Sequence, residues 1–132
     1  MITKDNMLDP ILEVSDGFKP IWKEFYEDWK DDGELPLYLV LSDLARYISK
    51  LVSESEVDEL KRLFKVIELW HIEGNEYVRE AATIGILESL QNTNVVGIGT
   101  PQQIEPYLLN ETRKWWNKLY EFWDNGKVLT NE

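Results

Sequence analysis

The stretch Asn75-Glu-Tyr-Val-Arg-Glu-Ala-Ala-Thr-Ile-Gly-Ile-Leu-Glu-Ser-Leu-Gln91 decides the fold. Tyr77, Val78, Ala81, Ala82, Ile84, Ile86, Leu87 and Leu90 wrap more than half the circumference of a helix over 76–91. A helix that is apolar on most sides is a buried one, so this element is placed at the centre. Asn75 is a favourable N-cap for it. A glycine inside a helix costs about 1 kcal/mol relative to alanine, so Gly85 implies a close crossing with a neighbouring helix. Just upstream, Val57, Leu60, Leu63, Phe64, Ile67 and Trp70/His71 keep helical spacing over 56–72. Ser55 caps this helix, Asp58 at N3 makes a short-armed capping box, and Gly74 closes it. The two helices, joined by residues 73–75, read as an αα-hairpin like one unit of a HEAT-type array. No second copy of the pair occurs, so a true repeat protein is not supported.

Further upstream, Leu37, Val40, Leu41, Leu44, Ile48, Leu51 and Val52 predict a helix over 36–52. It starts with Pro36 at N1, or later with Ser42-Asp43 as cap. Residues 18–32 form a helix with Pro20 in its first turn and a stripe of Ile21, Trp22, Phe25, Tyr26 and Trp29. Gly33 in a left-handed cap satisfies its last carbonyls. Residues 3–15 read as a helix capped by Thr3, or as one capped by Asp9 with Pro10 at N1 and an extended lead-in. Downstream, 92–99 is a loop, and Thr100-Pro101-Gln102-Gln103 is a capping-box start for a short helix running to about Leu108. Asn110 caps a last helix over 111–124, whose Trp115, Trp116, Leu119, Tyr120, Phe122 and Trp123 make a wide aromatic face. The prediction is an all-α, compact single-domain bundle of six to seven helices with HEAT-like antiparallel pairs. The domain spans 1–126, and 127–132 form a frayed tail.

The composition narrows function. The chain has 132 residues, 25 acidic against 14 basic groups, a net charge of −11, six Trp, one His and no Cys. Disulfides, thiolate nucleophiles and cysteine metal sites are excluded. No run of about 18 apolar residues exists to cross a bilayer, and no signal peptide is visible at the N-terminus; a cytoplasmic location is expected. Strong negative charge repels phosphate backbones and anionic lipid headgroups, which argues against nucleic-acid and membrane partners. It favours encounter with a basic protein; the competing reading is that acidic surface only confers solubility. Oligomeric state is not readable.

Chemistry-bearing motifs are sparse. Glu68-Leu-Trp-His71 matches the Glu-x-x-His pair of helix-bundle di-iron sites, but such a site needs a second His and the chain has one. Glu68 is then expected on the solvated surface, and His71 near a helix end favoured by the dipole. No Gly-x-Ser-x-Gly elbow accompanies the serines. Gly97-Ile-Gly99 lacks the third glycine and the lysine of a phosphate loop. The chain is therefore expected to be no enzyme, with no cofactor and no metal. Two acidic clusters remain. Glu54, Glu56, Asp58 and Glu59 sit at a helix N-terminus, where carboxylates are stabilising. Glu24, Glu27, Asp28, Asp31, Asp32 and Glu34 crowd the end and one face of the second helix, where the dipole offers them nothing. This second group, with Trp29 and Trp115 as aromatic anchors, is the candidate partner-binding face.

Three segments carry a resemblance: Leu41-Ser-Asp-Leu-Ala-Arg-Tyr-Ile48, Arg79-Glu-Ala-Ala-Thr-Ile-Gly-Ile-Leu-Glu-Ser-Leu90 and Leu109-Asn-Glu-Thr-Arg-Lys-Trp-Trp-Asn-Lys-Leu-Tyr-Glu-Phe-Trp123. Together they resemble a family of small bacterial proteins built on a domain of unknown function, DUF7674-like, whose members look like immunity proteins of polymorphic toxin systems. The resemblance implies fold and size, and no active site. The functional expectation is a non-enzymatic acidic protein-binding domain, of immunity or antitoxin type, that neutralises a basic toxin domain. The alternative is a small helical scaffold or regulatory module with a non-toxin partner.

Overall fold

The apolar spacing over 36–52 produces the helix around which the others pack. The computed structural model describes residues 1–97, 99–126 and 129. Among the described residues eight helices form: α1 (Asp9–Val14), α2 (Lys19–Trp29), α3 (Leu37–Ser53), α4 (Val57–Glu73), α5 (residues 76–91), α6 (Thr93–Val96), α7 (Thr100–Ile104) and α8 (Asn110–Asn125). One 3-10 turn, Asp16–Phe18, leads into α2 and another, Glu105–Tyr107, follows α7. The architecture is all-α. The element beyond the expected six or seven is α6, a single turn in the stretch read as loop, where the Asn92 side chain accepts the Asn94 amide. Apart from Leu129, the expected frayed tail at 127–132 lies outside the described residues.

α3 contacts α2, α4, α5, α6 and α7, and Val40, Leu41, Leu44, Ala45 and Ile48 along it are fully buried. It starts at Leu37 behind Pro36, not at the later cap. α4 and α5 form the expected hairpin, and Asn75 caps α5 by accepting the Val78 amide at 3.0 Å. A Cβ on Gly85 would lie 2.7 Å from Leu41 Cδ1, so α5 crosses α3 as closely as the glycine implied. One feature of α5 was not legible: residues Ala81–Leu87 are wound as π-helix, and the Glu88 amide donates to Thr83 O five residues back.

Several caps differ from expectation. Ser55 does not cap α4. It has φ +57° and ends α3: the Ser55 amide donates to Val52 O and the Glu56 amide to Leu51 O, the two bonds of a Schellman motif with serine in the place usually held by glycine. α1 begins at Asp9 with Pro10 second, and neither Thr3 nor Asp9 supplies a cap. Thr100 lies inside α7, and its hydroxyl donates to Val96 O at 3.0 Å. Asn110 likewise lies within the first turn of α8 and does not cap it.

The cap of α8 comes from α4. The Glu68 carboxylate accepts the amides of Glu111 (3.0 Å) and Thr112 (2.8 Å) and the Thr112 hydroxyl (2.7 Å). Partial burial opposes its ionisation, but these donors outweigh it and hold the carboxyl below its ordinary pKa. Glu68 is thus a structural group and not plain surface. His71, one turn on, is buried against the same junction. Its Nδ1 donates to Ile67 O at 3.0 Å and lies 3.3 Å from the Thr112 hydroxyl, while Nε2 accepts from Thr83 Oγ1 at 3.3 Å; the tautomer follows from this network. Burial pushes the imidazole below its ordinary pKa despite the Ile67 carbonyl and the Glu68 and Glu111 carboxylates. His71 is therefore a neutral interior group, not a dipole-favoured cation. Glu59 plays a smaller part of the same kind, accepting Ser15 Oγ and Tyr47 OH at 2.6 Å each.

Glu68→Ala is expected to destabilise the fold by about 1–2 kcal/mol in denaturant titration, and Glu68→Gln by less, because the amide oxygen still accepts. A depressed His71 pKa means that the unfolded chain takes the proton first. Stability is whole above the ordinary histidine pKa of about 6.5 and falls as pH drops below it; Glu68 adds a second loss only below the ordinary carboxylate range. His71→Gln should flatten the Tm against pH curve between pH 7 and 5, and an unchanged slope would refute the assignment. Ser55→Gly should stabilise by about 0.5–1 kcal/mol, since the left-handed cost at serine exceeds the added chain entropy.

Candidate functional site

α2 is the helix with the least cover. Only Phe25 along it is buried; Ile21, Trp22 and Trp29 are half-buried, and Tyr26 is exposed. Glu24, Glu27, Asp28, Asp31, Asp32 and Glu34 are all exposed. Gly33 takes φ +91°, but three residues beyond the helix cap at Lys30, so it turns the chain toward Glu34 and does not close the helix. Glu27 pairs with Lys30 at 2.9 Å, and Glu34 pairs with Lys4 from the N-terminal turn. The lysine beside Glu27, by hydrogen bond and charge, lowers its pKa. Glu24, Asp28, Asp31 and Asp32 enter no ion pair among the described residues.

The structure gathers part of this cluster into a cleft. Glu24, Asp28 and Trp29 line a groove of about 510 Å³ between α2 and α3, facing Leu39, Asp43 and Arg46. Arg46 pairs with Asp43 at 3.2 Å, one turn away on the same helix. Leu39 is half exposed at its edge. Carboxylates, an arginine, an indole and an aliphatic side chain thus share one concave face, and of these the indole is of the kind that anchors protein interfaces. On the other side of α2, Trp22 and Tyr26 line a second groove with Glu34, Lys4, Asp5 and Asp9. The spacing sets Trp22 and Tyr26 on the apolar stripe of α2 without saying which edge of it is covered. The width of the stripe, with aromatics at i, i+1, i+4, i+5 and i+8, was the signal that one edge of it stays uncovered.

Trp115 belongs elsewhere. It is half-buried on α8 and lines a groove with Glu76, Arg79, Glu80 and Thr83 of α5. The Nζ atoms of Lys114 and Lys118 each lie 5.6 Å from its ring centroid. It therefore cannot serve as an anchor beside the α2 carboxylates. Its neighbour Trp116 is 1% exposed and wholly core. Glu68 and His71 have their polar atoms engaged at the α8 junction, and among the described residues no three Asp, Glu or His side chains converge as a metal site would require. No helix among the described residues is long and apolar enough to cross a membrane.

A family match over residues 8–124 takes in every helix described, from α1 to the last turn of α8. The chain belongs to the family described as Domain of unknown function (DUF7674). The description of the DUF7674 family names no reaction, substrate or partner. No curated protein and no solved structure gives a significant match.

Proposed function

We propose that this chain is a non-enzymatic, cytoplasmic protein-binding domain that receives a basic partner on the α2 face. The observation that carries the reading is the α2–α3 cleft, where Glu24 and Asp28 flank Trp29 with no ion pair of their own among the described residues. Acids placed at the far end of a helix gain nothing from its dipole, so Asp28, Asp31 and Asp32 are not there for the stability of α2. In a molecule of net charge −11 they focus a negative field beside a half-buried indole. Such a field raises the encounter rate with a basic protein, and the aromatic anchor slows release. The form of this function that the resemblance favours is an immunity protein, which covers the positive cleft of a toxin domain such as a nuclease.

The test is affinity capture from the source organism at low and at physiological salt, with identification of the bound protein and kinetics on the purified pair. A partner with a basic domain is expected. The Glu24→Lys/Asp28→Lys double variant should slow association about tenfold or more, and the rate should fall steeply with ionic strength. Trp115→Ala should leave the complex intact. A partner that is neutral or acidic, or one that binds the double variant equally well, defeats the proposal.

A further inference from the structure

We infer that the groove between the N-terminal turn and α2 is a receptor for a lysine or arginine side chain of the partner protein, and that Lys4 engages one of its carboxylates, Glu34, in the free chain. The inference rests on the reading of α2 as a face for a basic protein. The groove has a volume of about 480 Å³. Its walls carry Trp22 and Tyr26, whose ring centroids lie 6.2 Å apart with planes inclined by 32°. Indole and phenol faces attract cations through their quadrupoles. Leu8 and Leu37, both nearly inaccessible, give it an apolar base, against which the methylene stem of a long cationic side chain rests while its head reaches outward.

Three carboxylates, Asp5, Asp9 and Glu34, line the same groove against a single cation, Lys4. Lys4 is salt-bridged to Glu34; Asp5 and Asp9 enter no ion pair among the described residues. The surplus is negative, so a second cation is attracted and an anion is not. Lys4 reaches this position because the N-terminal segment is folded into a turn: the Thr3 amide donates to Asn6 Oδ1 at 2.8 Å and the Asn6 amide to Thr3 O at 3.1 Å. The pair itself is weakly held, with side chains 43% and 71% exposed, and exposed pairs of this kind are worth only about a twofold to fivefold factor. An incoming lysine or arginine can therefore displace Lys4. The aromatic walls and aliphatic base distinguish the groove from a metal site, which would need oxygen donors on all sides.

The test uses the full chain and three capped tripeptides: acetyl-Gly-Arg-Gly-amide, acetyl-Gly-Lys-Gly-amide and, as neutral control, acetyl-Gly-Gln-Gly-amide. Binding is followed through the Trp22 indole N–H resonance, assigned with Trp22→Phe. Both cationic peptides are expected to give saturable shifts at Trp22, and the neutral peptide none. Glu34→Gln and Asp9→Asn should each weaken binding about twofold to fivefold, Tyr26→Ala by a similar factor, and Lys4→Met should strengthen it about twofold to fivefold. These positions are exposed at the surface apart from their packing on the groove, and thermal melts confirm that each variant is folded. Equal shifts with the neutral peptide, or unchanged affinity in Lys4→Met, would overturn the receptor. Failure of the peptides to bind leaves the basic-partner reading with the α2–α3 cleft; peptide binding in a chain that captures no basic protein leaves the receptor standing and removes that reading.

Discussion

The carboxylate of Glu68 is the interaction on which the packing of this molecule turns. The first amides of α8 have no local acceptor, since Leu109 cannot cap and Asn110 is already helical. A side chain four helices upstream, on α4, supplies what is missing, and by doing so it fixes where α8 lies along α4. Thr112 and His71 extend the link to Thr83 in the π-wound part of α5. Three helices thus meet at one polar junction inside an apolar interior, and every polar atom there that needs a partner finds one. Without that junction α8 would be held to α4 and α5 by the Gln91 Nε2 bond to Trp116 O at 2.9 Å and by apolar contacts such as those of Trp116 and Leu119, which are less directional than charge-assisted hydrogen bonds.

The other half of the molecule obeys a different constraint. α2 packs through one buried aromatic, Phe25, and otherwise stands between two acidic grooves. In each groove the chain supplies a cation of its own, Lys4 on Glu34 and Arg46 on Asp43. Both pairs are exposed, and neither neutralises the acids around it. The fold keeps its structural carboxylates, Glu59 and Glu68, engaged by hydroxyl and amide donors, and keeps α2 furnished with acids that have no structural duty. That separation of roles is the physical basis of the proposal that α2 receives a partner.

Helix spacing was the legible part of the sequence. The stripes over 36–52, 56–72 and 76–91 became α3, α4 and α5; Asn75 does what its position implied because it acts on the next turn, and Gly85 because a glycine inside a helix marks a close crossing, here with Leu41 of α3. Ser55, Thr100 and Asn110 were misread for a common reason: each has the side chain of an N-cap, and a local rule assigns it to the nearest helix start. Ser55 is taken up by the end of the preceding helix, Thr100 by a carbonyl at Val96, and the role given to Asn110 is filled from α4. Glu68 and His71 looked like surface and dipole groups because nothing in the linear order shows that α8 starts beside them. The candidate face was legible in its carboxylates and Trp29. Trp115 was grouped with them on residue type alone, and only the helix crossing shows that it faces α5.

The π-wound segment of α5 alters how that helix meets its surroundings. Between Ala81 and Leu87 the backbone carries one residue more than an α-helix needs to span the same rise. The apolar pattern before the segment and after it is therefore out of phase by about a hundred degrees, which is why the stretch looks greasy on nearly every side when drawn as a regular wheel. Val78 before the segment and Leu90 after it are both fully buried. A chain one residue shorter within 83–87 would wind as a regular helix and turn Leu90 and Gln91 away from α3 and α8, so length at this point is restrained along with the identity of Gly85.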